Sequence, residues 1–277
     1  MFSELSPLGV GIGFREPLRS EIFLQRNRVD FLEIIAERYL DVTDRKEREL
    51  DLLAAHFPLI PHGINLSIGS AQGVDSDYLG KFAALIRRIN PLWWSEHLCF
   101  TQAGGIDIGH LSPLPYTREA VNVVCRNIDR VRRAIDCPLL LENIAYLVTV
   151  PGAEMSEAQF IAEIAERSDC GLLLDVTNLY TNGVNHNYDV EGFLSEFPLE
   201  RVVQLHFAGG YWQDGVLIDS HSHATFPEVW QLMEKVVAQA CLKGIVLERD
   251  ENLPPFEELA TELERARALG RQYQKWD

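Results

Sequence analysis

PLLLENIAYLVTVPGAEMSEAQFIAEIAERSDCGLLLDVTN, residues 138–178, holds two leucine-rich runs that each reach a carboxylate, Glu142 and Asp175, with an amphipathic segment between them. Ser156 and Gln159 have the spacing of a capping box, in which each side chain satisfies the other residue's free backbone N–H, so a helix should start there. A run apolar at nearly every position has no solvent face. It fits a strand covered on both sides, as in a parallel sheet, better than a half-exposed antiparallel strand. The unit is strand, helix, strand.

Working outward, the same unit recurs. Runs at 9–14, 29–35, 59–68, 92–100, 138–144, 171–178, 202–208 and 244–250 make eight. Asp44, Asp75 and Thr117 stand ahead of amphipathic stretches as helix starts, and Pro227 and Pro255 suit first helical turns. No Ser/Gly/Pro-rich linker divides the chain. The pattern predicts an α/β protein folded as a single (β/α)8 TIM-barrel domain over residues 1–277, with a doubly wound parallel sheet as the alternative.

Composition narrows the partners. A chain of 277 residues, 47% hydrophobic and 24% charged, can bury a large core. Its 25 Lys and Arg against 41 Asp and Glu leave a net charge of −16, which repels phosphate backbones and anionic lipid, so neither nucleic acid nor membrane is expected as a partner. The opening MFSELSPLGVGIGFRE has no basic stretch followed by an apolar one, so it does not read as a signal peptide. Five scattered cysteines (Cys99, Cys125, Cys137, Cys170 and Cys241), without a CxxC pair, suit reduced thiols. The expected compartment is the cytoplasm.

A barrel collects its chemistry at the C-terminal ends of the strands. There the sequence carries His62 in LIPHGINLSI, Glu96 and His97 in WWSEHLCF, Glu142 and Asn143, Asp175 and Asn178, His206 in VVQLHFAGG, and Glu248 and Asp250 in GIVLERD. The loop VLIDSHSH adds Asp219, His221 and His223. One such residue is ordinarily a cap or a hydrogen-bonded core histidine. Six consecutive runs each delivering an acid or an imidazole is different, because buried carboxylates without partners cost several kcal/mol or change protonation state. Few strand cations offset them, and Arg249 points outward if Glu248 points in. Metal ions are the simplest partners. The ligand set selected is His62, His97, Glu142, Asp175, His206, Asp219, His221 and Glu248. It is too large for one ion and, being nitrogen and oxygen only, it suits iron, manganese or zinc, with a carboxylate such as Glu142 bridging. Alternation puts Ser95 and His97 on one face, so Glu96 should turn away. His223, His110, His186 and His56 are left outside the set.

The segments FLEIIAERY, PHGINLSIGS, WWSEHLCF, HLSPLPYT, LLLENI, LLLDVTNLYTN, QLHFAGG, IDSHSH and LERDENLP occur in that order between about residues 9 and 255. Together they resemble the multinuclear non-haem iron-dependent oxidative enzymes, a bacterial TIM-barrel family. The resemblance implies two or three iron ions, mixed Fe(II)/Fe(III), with O2 as co-substrate. It also implies modification of a ribosomally made precursor peptide, typically at cysteine, and a small companion protein that presents the peptide's leader. The family's ligand positions fall on the same eight residues. Thr177 stands where asparagine is usual, and ATFPEVW replaces the usual proline-valine pattern. Asn143, Asn178 and Asp250 are expected to orient ligands or water, Glu33 and Glu37 to contact the peptide, and residues 106–117 to form a loop walling the substrate cleft. The alternatives are a sugar isomerase or metallohydrolase on the same fold, and a non-catalytic metal barrel that binds peptides.

Overall fold

Eight parallel strands close on themselves in the computed structural model, which describes residues 2–277. The strands in chain order are β1 (Gly9–Gly13), β2 (Phe31–Ile35), β3 (Leu59–Gly63), β4 (Trp94–His97), β5 (Phe100–Ala103), β6 (Ile106–Ser112), β7 (Leu139–Glu142), β8 (Gly171–Asp175), β9 (Val202–Phe207), β10 (Tyr211–Gln213), β11 (Val216–Ile218) and β12 (Gly244–Leu247). The barrel runs β1-β12-β9-β8-β7-β4-β3-β2, and β5–β6 and β10–β11 are separate antiparallel hairpins after β4 and β9. The helices are α1 (Arg19–Leu24), α2 (Asp44–Ala54), α3 (Ser76–Ile89), α4 (Arg118–Ala134), α5 (Glu157–Ser168), α6 (Val176–His186), α7 (Val190–Glu196), α8 (Pro227–Gln239) and α9 (Phe256–Gln272). The predicted barrel is what forms, and the doubly wound alternative falls because β1 pairs with both β2 and β12.

Helix starts follow the expected chemistry with small shifts. Asp75 accepts from the N–H of Tyr78, Thr117 from Ala120, and Ser156 and Gln159 form the reciprocal capping box. Asp44 is the first helical residue rather than the cap, with Thr43 before it, and Pro255 precedes α9 rather than opening it. Along α4 the buried residues Val121, Val124, Ile128 and Val131 recur three or four apart, the spacing that lays one apolar stripe on the barrel wall.

All eight strands are shorter than the runs read for them. The third ends at Gly63, the fourth at His97, and the sixth at Asp175, where α6 begins at once. Residues 106–112 of the expected loop are strand β6. A second layer of local pairing, invisible to a pattern built on barrel strands, explains each hairpin.

The barrel's lower interior is apolar. Phe31, Ile60, Trp93, Leu140, Leu173, Val203 and Val246 meet Phe2 from the N-terminal segment in a separate buried cluster. Burying each large side chain contributes about 1.5–3 kcal/mol. One irregularity matters for the site above. The β8–β9 register slips between Leu172 and Leu173, so that Leu172 faces Val202 while Leu173 faces Gln204. The bulge leaves Val203 in the apolar floor and still turns Gln204 and His206 inward, whereas strict alternation would send one set out.

Candidate metal centre

Two residues beyond that floor, the strands change character. Glu33, His62, Ser95, Glu142, Asp175 and Glu248 follow Phe31, Ile60, Trp93, Leu140, Leu173 and Val246 by one strand repeat, and all six are buried. Parallel register then sets neighbours: His97 lies beside Glu142, and Asp175 beside His206. The loop bearing Asp219 and His221 is pressed over the end of β9. Gly209 accepts from the backbone N–H of Ser222, and a β-carbon at Gly209 would overlap the carbonyls of His223 and Ala224. His221 sits at φ 52°, a left-handed backbone that a non-glycine residue adopts at a cost, and its carbonyl accepts from the N–H of Asp250.

The donors converge. One atom each from His62, His97 and Glu142 lie within 4.8 Å of one another, and so do atoms from Glu142, Asp175, His206 and Glu248. Glu142 belongs to both groups. Its Oε2 is 3.3 Å from Nε2 of His62 and 3.3 Å from Nε2 of His97. Its Oε1 is 3.1 Å from Nδ1 of His206. Asp219 Oδ1 lies 3.0 Å from His221 Nε2, and Glu248 Oε2 lies 3.2 Å from His206 Nδ1 and 3.5 Å from His221 Nδ1.

Close approach without hydrogen-bond geometry is the informative feature. Among the described residues, Glu142 Oε2, Asp175 Oδ2, Asp219 Oδ1 and His221 Nε2 are buried with no hydrogen-bond partner. Buried polar atoms are nearly always satisfied, so four orphans around one mouth fit a shared cationic partner, although Asp219 Oδ1 and His221 Nε2 also face each other. The neighbouring atoms are anchored. Asp175 Oδ1 accepts from the N–H groups of Thr177 and Asn178, capping α6 and leaving Oδ2 free. His97 Nδ1 lies 3.1 Å from the carbonyl of Gly63, an acceptor only, so Nδ1 carries a proton and Nε2 is the nitrogen turned into the mouth. His62 Nδ1 bonds Ser95 Oγ at 2.8 Å, again leaving Nε2 inward.

The electrostatics agree. Burial resists ionisation of Glu142, yet the His97, His206 and His62 imidazoles hold it down to about 2. Burial opposes charge on His97 as well, but Glu142 and Glu96 lift it to about 9. Asp175 is pushed up to about 7 by burial, with the charges of Asp219 and Glu142 adding to it. Here imidazolium protons do the neutralising, and a metal ion would replace them, since metal ligation needs neutral imidazole and ionised carboxylate. The residues fit a nitrogen- and oxygen-ligated polynuclear centre.

Other residues take places that the sequence left open. Asn143 and the Asp175 backbone exchange two hydrogen bonds, 3.0 and 2.9 Å, and Asn178 donates to the Asn143 carbonyl. Asp250 is 3.2 Å from His221 Nδ1. Glu96 turns away, accepting from the N–H of Leu66 beneath α3, and Arg249 pairs with Glu262 of α9 outside the barrel. Glu33 and Glu37 lie off the cleft. Glu33 is buried under His206, 2.9 Å from its Nε2, and Glu37 accepts from the backbone N–H groups of Ile64 and Asn65 and from the Tyr78 hydroxyl. Thr177 fills the unusual position with a function of its own, its hydroxyl bridging the N–H and carbonyl of Ala208 at the end of β9.

Arg15 is the residue that sequence reading missed. Buried just after β1, it donates through Nε to Asp250 Oδ1 at 2.5 Å and lies 3.9 Å from Glu248. A lone arginine after a glycine-rich strand carries no signal of what it will face. It offsets part of the acidity at one edge of the mouth.

Above these groups opens a cavity of about 630 Å³. Its wall joins His62, His97, Glu142, Asp219, His221 and Glu248 to apolar side chains, among them Leu111 of β6, Tyr146, Leu147 and Ile218 of β11.

Fold and site together define a (β/α)8 barrel enzyme class with a carboxylate- and imidazole-lined mouth. The family described as RiPP precursor modification enzyme MbnB/TglH/ChrH matches residues 9–271, and the chain belongs to it. Relatives include a UPF0276 protein of Caulobacter vibrioides, 39% identical over 261 residues, covering 94% of this chain and 93% of that one. Another, from Rhizorhabdus wittichii, is 37% identical over 262 residues, covering 94% of each. Among solved structures, D-psicose 3-epimerase from Clostridium cellulolyticum H10 superposes with a TM-score of 0.59 at 11% identity, covering 96% of this chain and 99% of that one. The Escherichia coli 3-keto-D-glucoside 4-epimerase gives 0.57 at 10%, covering 94% and 99%. At such identities the likeness is one of fold alone. No helix of the described residues is long and apolar enough to cross a membrane.

Proposed function

We propose that this chain is an iron-dependent, O2-using enzyme that modifies cysteine, or a similar residue, in a ribosomally made precursor peptide. The observation that carries the reading is the convergence of two donor groups that share Glu142, with orphaned atoms on Glu142 and Asp175 and on the neighbouring Asp219 and His221. Family membership supports the substrate class. In this reading His62 and His97 with Glu142 hold one ion, Glu142, Asp175, His206 and Glu248 a second, and Asp219 and His221 complete the set. When bound, the ions supply a Lewis acid for a thiol ligand and a site for oxygen reduction. The protein's own part is positioning. Asp175 is fixed by α6, His62 by Ser95 and His97 by Gly63, so the donors need little reorganisation on loading. The apolar wall admits a side chain and its flanking backbone while thinning the water around the donors. A small companion protein presents the leader, and the reaction is cytoplasmic.

The test is anaerobic purification followed by metal analysis, Mössbauer spectroscopy and oxygen uptake. The expected result is two or three irons per chain and O2 consumption that needs both iron and a cysteine-containing precursor peptide. A protein that binds zinc alone, or turns over a sugar without oxygen, overturns the proposal.

A further inference from the structure

Beneath the proposed centre runs a chain of buried side chains that those donors do not account for. Trp93 Nε1 donates to Gln204 Oε1 at 2.6 Å, Gln204 Nε2 donates to Glu33 Oε2 at 2.5 Å, and Glu33 Oε2 lies 2.9 Å from His206 Nε2. Trp93, Gln204 and His206 are wholly buried and Glu33 is 3% exposed. We infer that Glu33 is a positioning residue that fixes the tautomer of His206, so that Nδ1, not Nε2, is the atom offered to metal; this rests on the metal-centre reading above.

The direction of the chain is set at its far end. An indole N–H can only donate, so Gln204 must turn its carbonyl oxygen to Trp93 and its amide nitrogen to Glu33. Gln204 Nε2 is also 3.0 Å from His206 Nε2, which raises the opposite arrangement, with an imidazole lone pair accepting from Gln204. The carboxylate excludes it. Glu33 Oε2 sits closer to His206 Nε2 than the amide does, and two lone pairs at 2.9 Å repel, so Nε2 carries hydrogen and donates. The remaining ring nitrogen faces Glu142 Oε1 and Glu248 Oε2, the oxygens of the second donor group. A carboxylate holding the distal N–H of a ligating imidazole fixes ring orientation and raises ligand basicity. Trp93 belongs to the apolar floor, so the ring plane of His206 is tied to the barrel's hydrophobic core rather than to a mobile loop.

The experiment combines two variants, Glu33→Gln and Glu33→Ala, with titration of Co(II) into apoprotein and circular dichroism to check folding. Both should fold. Glu33→Ala should bind the second-group ion about 10–100-fold more weakly while the ion at His62 and His97 is retained, and Glu33→Gln, which keeps an acceptor, should recover part of the loss. Unchanged affinity in folded Glu33→Ala overturns the inference. Wild-type protein that takes up no metal overturns the underlying reading instead. A second measurement does not depend on the variants: in the Zn(II)-loaded wild type, imidazole 15N NMR should show His206 protonated at Nε2 and metal-bound at Nδ1. The reverse assignment overturns the inference.

Discussion

The two ends of the barrel interior are built on the same strands and could hardly differ more. At the lower end Phe31, Ile60, Leu140, Leu173 and Val246 pack without a polar atom; two residues later Glu33, His62, Glu142, Asp175 and Glu248 occupy the same inward positions. A single strand repeat, roughly 6–7 Å, separates a floor stabilised by water exclusion from a mouth in which acids and imidazoles crowd together. The difference teaches that the floor supports the mouth's cost. Burying charged groups is unfavourable until they are paired, and a rigid apolar layer beneath holds them in place meanwhile.

The comparison breaks most severely at Glu142, the residue common to both donor groups. Glu142→Ala should lower bound iron by at least one ion per chain and peptide modification by more than about 100-fold, with the fold intact by circular dichroism. Metal analysis and product mass spectrometry read the two effects. Retention of full iron and activity would remove Glu142 from the centre. Phe31→Ala attacks the other end. Deleting that fully buried ring should cost about 3–5 kcal/mol in denaturant unfolding, yet leave the number of metal ions per folded chain unchanged.

The next test sharpens rather than breaks the contrast. A metal that binds the folded chain alone stabilises it by mass action, about 2.7 kcal/mol at a hundredfold excess over Kd. Melting temperature should therefore rise with Fe(II) or Co(II) in wild type and rise less in a His62→Ala, His97→Ala double variant at the same concentration, because that variant keeps only the second donor group. Phe31→Ala, by contrast, should start from a lower melting temperature and rise as wild type does.

The smallest effect concerns an acid outside both layers. Burial pushes Glu157 up to about 7, only partly opposed by hydrogen bonds from Tyr146 and Tyr116. A carboxyl whose folded value lies above its unfolded one stabilises the fold most below about 4.5, and that contribution is lost as pH rises through about 7. Wild-type stability should fall by about 1–3 kcal/mol between pH 4.5 and 7.5 relative to Glu157→Gln, measured by urea unfolding at each pH. Parallel pH profiles for the two proteins would remove Glu157 as the source.

Much of this was legible before any coordinates. Leucine-rich runs ending in acids, capped helices between them and eight repeats sufficed for the barrel, because apolar periodicity and capping are local properties. The acids and imidazoles that meet at the mouth could be named for the same reason, since barrel topology gathers strand ends wherever the strands lie in sequence. What escaped has a common physical cause, the dependence on tertiary neighbours. The β6 and β11 strands arise from pairing within loops. Glu33 reads as a peptide contact until the register bulge brings His206 above it. Arg15 shows its partner only when the last strand closes against the first.

By itself, then, the amino-acid order determined the alternation of strand and helix, the inward set of acids and imidazoles, and the layer at which they appear, since these follow from periodicity and side-chain chemistry. Only the tertiary structure decided which donor atoms meet, which ring nitrogen each histidine presents, and which oxygens are left without partners. Those depend on distances of a few tenths of an ångström, set by barrel closure, a one-residue bulge in β9 and a loop pressed over Gly209.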